Sequence, residues 1–150
     1  MRAVIQRVSE ASVSINNNNV AEIRSGLVIL LGVENEDSKE DSKWLANKIV
    51  QLRIFSDSQN KMNNSIVDIN GDIIVVSQFT LYAKTKKGNR PSYIRAANPQ
   101  KANLLYEQFK NDLSNLISKD IFSGTFGANM QVSIINDGPV TIIIDTKDKQ

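Results

Sequence analysis

The sequence predicts an α+β fold, a mixed and largely antiparallel sheet with helices packed on it. Three observations carry that reading. Roughly seven or eight short runs have strand character, against two segments with helical periodicity. The helices do not alternate regularly with the strands, as they would in a doubly wound parallel sheet. Three aliphatic runs, at 27–31, 73–76 and 140–144, read as strands covered on both faces. With only 150 residues available, a second subunit is a candidate to cover one of those faces. The length fits one domain over 1–150.

Taken in order, Met1-Arg2-Ala3-Val4-Ile5-Gln6-Arg7-Val8 alternates apolar and polar residues and reads as a strand rather than a signal peptide. The run of four asparagines at 16–19 lies between two β-like runs, and Asn tolerates positive φ, so a hairpin loop is expected there. Residues 27–33 form a buried strand. A helix follows, with Asp37 or Ser38 as cap, Ser38 and Asp41 at capping-box spacing, and Leu45, Ile49 and Leu52 on one face. Ile54-Phe55 is a short apolar piece and 57–60 a turn. Residues 73–76 are a buried strand that runs straight into Ser77-Gln78-Phe79-Thr80-Leu81. After an exposed loop at 84–91, Asn98 caps a second helix with Pro99 in its first position. Its apolar face is Ala102, Leu105, Phe109, Leu113 and Leu116. Two closing strands, 131–135 and 140–144, are joined by Asn136-Asp137-Gly138-Pro139, and the polar tail 147–150 is expected to fray.

Composition narrows the chemistry. The chain has 0 Cys and 0 His. That excludes a disulfide framework, a thiolate nucleophile, a Ser-His-Asp triad and any His- or Cys-ligated metal. An enzyme built from these residues works with hydroxyls, amides, backbone groups, Lys or carboxylates, or borrows chemistry from its substrate. The carboxylates have no spacing that suggests a metal site. No stretch approaches the ~18 apolar residues of a membrane span, so the cytosol is the expected location. With 18 Lys+Arg against 16 Asp+Glu, the net charge of +2 gives no strong overall field, and any nucleic-acid contact has to be local.

Four segments could carry function. Ser77, Gln78, Phe79 and Thr80 turn polar at the end of the most apolar strand, where hydroxyls, an amide and backbone N–H groups could stabilise an oxyanion. The plainer alternative is a strand end whose hydroxyls satisfy nearby backbone, since no imidazole is present to activate them. Asn136-Asp137-Gly138-Pro139 is a strong turn signal, but Gly-Pro is an odd choice inside a hairpin, and both a trans turn and a cis bond remain open. The basic loop 84–90, followed by Tyr93 and Arg95, suits either phosphate contact or plain solvation. Arg2 and Arg7 differ by an odd number, so they leave opposite faces of a strand and one could point inward.

Together these segments resemble one family, the D-aminoacyl-tRNA deacylases, over nearly the whole chain. The resemblance runs from the opening strand through Leu52-Arg53-Ile54-Phe55 and Lys61-Met62-Asn63 to Val76-Ser77-Gln78-Phe79-Thr80-Leu81. It continues through Gly88-Asn89-Arg90-Pro91-Ser92 and Gly124-Thr125-Phe126-Gly127-Ala128-Asn129-Met130, and ends at Asn136-Asp137-Gly138-Pro139-Val140-Thr141. It implies a barrel-like, homodimeric fold with active sites at the subunit interface, no metal and no cofactor. It implies hydrolysis of the ester joining a D-amino acid, or glycine mischarged on tRNA for alanine, to the 3′-terminal adenosine. Gly138 and Pro139 would form a cis pair reaching into the partner's pocket to hold the α-amino group and exclude L side chains. Arg7 would orient that loop, backbone groups around Gln78, Phe79 and Thr80, with Ser77, would line the ester, and Phe126 and Met130 would lie near the adenosine. The attacking group is either Thr80 or water assisted by the adenosine 2′-hydroxyl. Two departures, Asn60 where the family usually has Gly and the asparagine run at 16–19, lie in turns.

Overall fold

The computed structural model describes residues 1–149. It contains a six-stranded sheet, a two-stranded ribbon, two α-helices and one short 3-10 helix. The spine is β1 (Arg2–Ile15), because it has partners on both edges. One edge meets β2 (Asn18–Ile23) and β3 (Gly26–Gly32), both antiparallel. From β3 the chain crosses through α1 (Lys39–Val50) and the ribbon of β4 (Phe55–Ser56) and β5 (Met62–Asn64). It then enters β6 (Asp72–Ser77), which pairs parallel with β3. After the 3-10 helix Phe79–Tyr82, α2 (Pro99–Ile117) provides the crossover to β7 (Phe122–Ser123), parallel to β6. Last comes β8 (Gln131–Asp145), antiparallel on the other edge of β1. β2 also packs against β6 and β7, so the sheet curls into a nearly closed barrel. The α+β architecture expected from the strand and helix pattern is the one observed.

Both faces of the central strands are buried, as the aliphatic runs at 27–31 and 73–76 require. Leu27, Ile29, Leu31, Ile73 and Val75 face the two helices, where they meet Leu45, Ile49, Leu105 and Phe109. Val28, Ile74 and Val76 face the barrel interior with Val8, Val13 and Ile23. The run at 140–144 differs. Val140, Ile142 and Ile144 pack on the helix-side core, but Ile143, on the opposite face, is 68% exposed. Among the described residues, that face of β8 is left largely open around Ile143.

The helix signals hold in detail. Ser38 caps α1 in a capping box with Asp41, and the Asn98 side chain accepts from the Lys101 N–H at the start of α2. Two positions depart from the expected faces. Leu52 falls beyond the end of α1, and Leu116 is exposed near the end of α2, where the helix runs past the sheet. Tyr106 is buried instead and donates to the Val75 carbonyl at 2.9 Å, tying α2 to β6. The hairpin at the asparagine run is tighter than the four-residue patch: only Asn16 and Asn17 take positive φ, and β2 begins at Asn18.

Two expectations are corrected. Residues 131–135 and 140–144 are not separate strands around a turn. They are one strand, both halves antiparallel to β1, with 137–140 thrown out as a bulge. A turn would need the chain to reverse, whereas Pro139 only lacks an N–H and so drops out of the ladder locally. The tail does not fray over 147–149. Lys147 pairs with Asp41 at 2.9 Å and the Lys149 ammonium lies 4.3 Å from the centre of the Trp44 ring. Long cationic side chains can anchor a polar segment that contributes nothing to the core. Gln150 lies outside the described residues.

Candidate active site

The end of β6 positions the site. The Gln78 N–H donates to the Leu31 carbonyl at 2.7 Å and closes the ladder between β3 and β6. The backbone then tightens into the 3-10 helix, and the first N–H groups of such a helix have no partner within it. Among the described residues, the N–H groups of Phe79 and Thr80 carry no hydrogen bond. The Gln78 side-chain amide donates to the Thr80 hydroxyl. That partner is a donor and cannot take the hydroxyl proton.

Beside this turn lies a cavity of about 570 Å³. Ser77, Gln78 and Phe79 line one part of it, and Phe126, Met130 and Val132 another. Small residues, Ala96, Ala97 and Ala102, keep it open where larger side chains would fill it. Phe79 and Tyr93 meet edge to face with ring centres 4.9 Å apart. Phe126 is steadied by Tyr106 at 5.8 Å, whose hydroxyl burial pushes up to about 12, so it stays neutral. Gly124 leaves room for Met130: a Cβ there would sit 2.2 Å from the Met130 sulfur. The lining is mostly apolar, with a polar band at 77–78, which suits a ligand with a flat apolar part and a polar reacting group.

A second cluster sits on the β8 bulge. Gln6 pairs with Thr141 and Val8 with Asn136, so β8 advances five positions while β1 advances two. The loop so formed is clamped from both sides. Arg7, buried on the helix-facing side, donates from Nε to the Asp137 carbonyl at 3.0 Å and from Nη1 to the Ile54 carbonyl at 2.6 Å. Across the bulge the Asn136 side chain accepts from the Val140 N–H at 3.1 Å and donates to the Thr141 hydroxyl at 2.9 Å. Gly138 has φ of 128°, and the Gly138–Pro139 bond is cis. A Cβ on Gly138 would lie 2.8 Å from Val140 Cγ2 and 3.0 Å from Arg7 Nη2, so only glycine fits. Gly138 and Pro139 are both exposed. Arg2 and Arg7 do leave opposite faces: Arg2 reaches Asp145 at 2.8 Å and the Leu81 carbonyl.

The residues singled out by sequence thus fall into two groups. Ser77, Gln78, Phe79, Phe126 and Met130 share the cavity, with Thr80 next to it. Gly138 and Pro139 lie in the bulge that Arg7 clamps, and none of the three lines that cavity. The sequence reading missed the Tyr93 contact, the small residues and the clamping role of Asn136. The paired alanines at 96–97 were the available signal for the cavity, and the Asn136 to Val140 spacing gave none. Among the described residues no three carboxylate, His or Cys side chains gather where they could hold a metal.

The sequence profile described as D-Tyr-tRNA(Tyr) deacylase matches residues 4–145. The chain is 58% identical over its full length to the full-length D-aminoacyl-tRNA deacylase of Christiangramia forsetii. It is 57% identical, again over the whole of both chains, to that of Bacteroides fragilis. Among solved structures, one described as c-Myc DNA Unwinding Element Binding Protein superposes with a TM-score of 0.90 at 38% identity, covering 97% of this chain and 98% of that one. A probable eukaryotic D-amino acid tRNA deacylase shares the fold, with a TM-score of 0.80 at 17% identity over 95% and 97% of the two chains.

Proposed function

The chain belongs to the D-Tyr-tRNA(Tyr) deacylase family, and from that premise we propose that it hydrolyses the ester of D-aminoacyl-tRNA in the cytoplasm, releasing the free D-amino acid and tRNA. Glycine mischarged on tRNA for alanine is a second substrate, because an achiral residue passes a filter set for handedness. The observation that carries this reading is the pair of unengaged N–H groups on Phe79 and Thr80 beside an apolar cavity. Donors already aimed at the developing oxyanion need no reorganisation, and an aminoacyl ester is activated enough for that to suffice. Phe126 and Met130 receive the terminal adenosine, and Ser77 and Gln78 lie along the ester.

Water is the attacking group. It adds to the ester carbonyl, the resulting oxyanion is held by the two N–H groups, and collapse breaks the bond to the ribose 3′-oxygen. The proton given up by water ends on that oxygen, passed through the neighbouring 2′-hydroxyl. Thr80 is not the nucleophile in this scheme, since its hydroxyl has only an amide donor against it.

The enzyme works as a homodimer. Ile143, largely exposed on the face of β8 opposite the core-packed Ile142 and Ile144, is apolar surface that a second copy covers. The exposed Gly138–Pro139 bulge then enters the partner's cavity. There its carbonyl oxygens hold the substrate's α-amino group and fill the space an L side chain needs, with Arg7 fixing the loop. Attraction alone separates close analogues by about 1–3 kcal/mol, and a rigid main-chain wall rejects every L residue at once. The test is a time course on D-Tyr-tRNA and L-Tyr-tRNA. Release of the D-amino acid alone is expected, retained in large part by Thr80→Ala and lost when the terminal adenosine lacks its 2′-hydroxyl. No release, or equal release from both esters, would sink the reading.

A further inference from the structure

The net charge of +2 conceals a sharp division. Residues 73–106 contain six of the eighteen cations and none of the sixteen carboxylates, while the other 116 residues carry twelve cations against sixteen carboxylates. One segment is therefore +6 and the remainder −4. That segment holds the end of β6, the 3-10 helix and the approach to α2, which together supply Ser77, Gln78, Phe79, Tyr93, Ala97 and Pro99 to the cavity.

Among the described residues, four of the six cations are also unpaired. Lys84 and Ser92 exchange backbone hydrogen bonds at 2.8 and 3.0 Å and close a loop between them. Lys84, Lys86, Lys87 and Arg90 are exposed on that loop, and among the described residues none has an ion pair or a side-chain hydrogen bond. Gly88, at the tip, has φ of 70° and nothing within 4 Å of where a Cβ would stand. Arg95 is neutralised by Glu34 at 2.8 Å, and Lys101 rests on the uncharged Asn35 carbonyl. By contrast Arg2, Arg7, Lys110, Lys119 and Lys147 all have carboxylate partners. Both stems of the loop run directly into the cavity, through Phe79 on one side and Tyr93 on the other. A concentrated, uncompensated positive charge at the mouth of a site is an electrostatic footprint for a polyanion.

We propose that the 84–90 loop binds the phosphates of the tRNA acceptor arm that lead to the 3′-terminal nucleotide in the cavity. This rests on the deacylase reading for the identity of the polyanion. Phosphate contacts position a nucleic acid without reading its sequence, which fits an enzyme that must accept tRNAs of many identities. The loop acts on capture and register, and the ester chemistry stays with 77–80.

The experiment compares two substrates of the same chemistry. One is D-tyrosyl-tRNA; the other is 3′-O-(D-tyrosyl)adenosine, which has no acceptor-arm phosphate. In Lys86→Ala/Lys87→Ala/Arg90→Ala, kcat/KM on the tRNA ester falls roughly 10- to 100-fold at low salt. Its slope against log salt becomes shallower by about 2. Hydrolysis of the adenosine ester stays at the wild-type rate. The control Lys39→Ala/Lys43→Ala/Lys48→Ala removes equal charge from the exposed face of α1 and leaves both rates unchanged. An equal loss on both substrates, no loss on tRNA, or an equal loss in the α1 control overturns the proposal. If the wild type cleaves neither ester, the deacylase reading fails instead. The loop is then judged by fluorescence anisotropy with uncharged tRNA, where unchanged affinity in the loop variant overturns it.

Discussion

At residue 77 a strand buried on both faces ends at a cavity lined by the same chain, whereas at residue 137 a strand only partly covered throws out an exposed bulge. The first is held by packing: Ile73, Ile74, Val75 and Val76 are all at most 2% exposed, and the polar groups that follow inherit their position from that rigidity. The second is held by a handful of hydrogen bonds, from the Arg7 guanidinium and the Asn136 amide to the backbone of 137–140 and its neighbours. Packing is spread over many weak contacts, so one lost contact removes only a small part of it. A hydrogen-bonded clamp around a glycine is not spread in that way. The two halves of the proposed site should therefore fail in different ways.

The largest effect is expected at Gly138. An alanine there must hold a positive φ that L residues rarely adopt, and its Cβ meets both Val140 and the Arg7 guanidinium. Such backbone strain costs about 1–3 kcal/mol, and the loop relieves it by moving. D-Tyr-tRNA hydrolysis should drop by more than about 100-fold, or the D over L preference should collapse, given how steeply rates depend on placement. Because the bulge is exposed, Tm should fall by only a few degrees. A Gly138→Ala enzyme with wild-type rate and wild-type chirality would show that the cavity alone is the site.

The two halves also differ in how far the sequence reveals them. The end of β6 was legible because an aliphatic run breaking into Ser-Gln-Phe-Thr changes hydropathy abruptly, and hydropathy is what burial follows. The capping box at Ser38 and the Asn98-Pro99 start of α2 were legible for the same local reason. The bulge was visible only as a turn. Nothing within Asn136-Asp137-Gly138-Pro139 says that the chain continues in its original direction, since that is decided by β1, more than a hundred residues earlier. Arg7 could be placed on the face opposite Arg2, but its acceptors, the carbonyls of Ile54 and Asp137, belong to distant segments and have no sequence signature. The order of the tail is not legible in the sequence, because composition reports polarity and not the partners Asp41 and Trp44.

A smaller, pH-dependent effect separates the two regions again. The far end of β8 is fastened by Lys147 and Asp41. Burial pushes the Asp41 carboxyl up, but hydrogen bonds from Lys147, Thr146 and Ser38 outweigh it and hold the group well below the usual carboxylate range. A depressed folded-state pKa contributes stability above the ordinary value of about 4, and that contribution is lost as pH falls from there towards the folded-state value. Acid unfolding followed from pH 5 downward should therefore be flatter in Asp41→Asn than in the wild type. Hydrogen exchange should show β8 loosening before β6. Simultaneous loss of both strands would mean that the clamped and the packed halves unfold as one unit.

The smallest effect tests the packed half by itself, with one substitution made twice. Tyr82 lies in the 3-10 helix behind the cavity, its ring 4.9 Å from the Arg2 guanidinium and 5.6 Å from that of Arg95. Its buried hydroxyl has no hydrogen-bond partner among the described residues. Burial, reinforced by Asp37, Asp145 and Glu34, raises its pKa, so it stays neutral and cannot recover its lost hydration by ionising. Tyr106 is as deeply buried, but its hydroxyl donates to the Val75 carbonyl. Tyr82→Phe keeps the ring and both guanidinium contacts and removes an orphaned polar group, so stability should be unchanged or higher by up to about 1 kcal/mol. Tyr106→Phe removes a made bond and leaves a carbonyl one partner short, so it should lose about 0.5–1.5 kcal/mol. Denaturant midpoints measured side by side give the sign directly. If Tyr82→Phe were the more damaging of the two, its hydroxyl would have to be bonded in solution, and the 3-10 helix would be pinned by a polar contact rather than by packing.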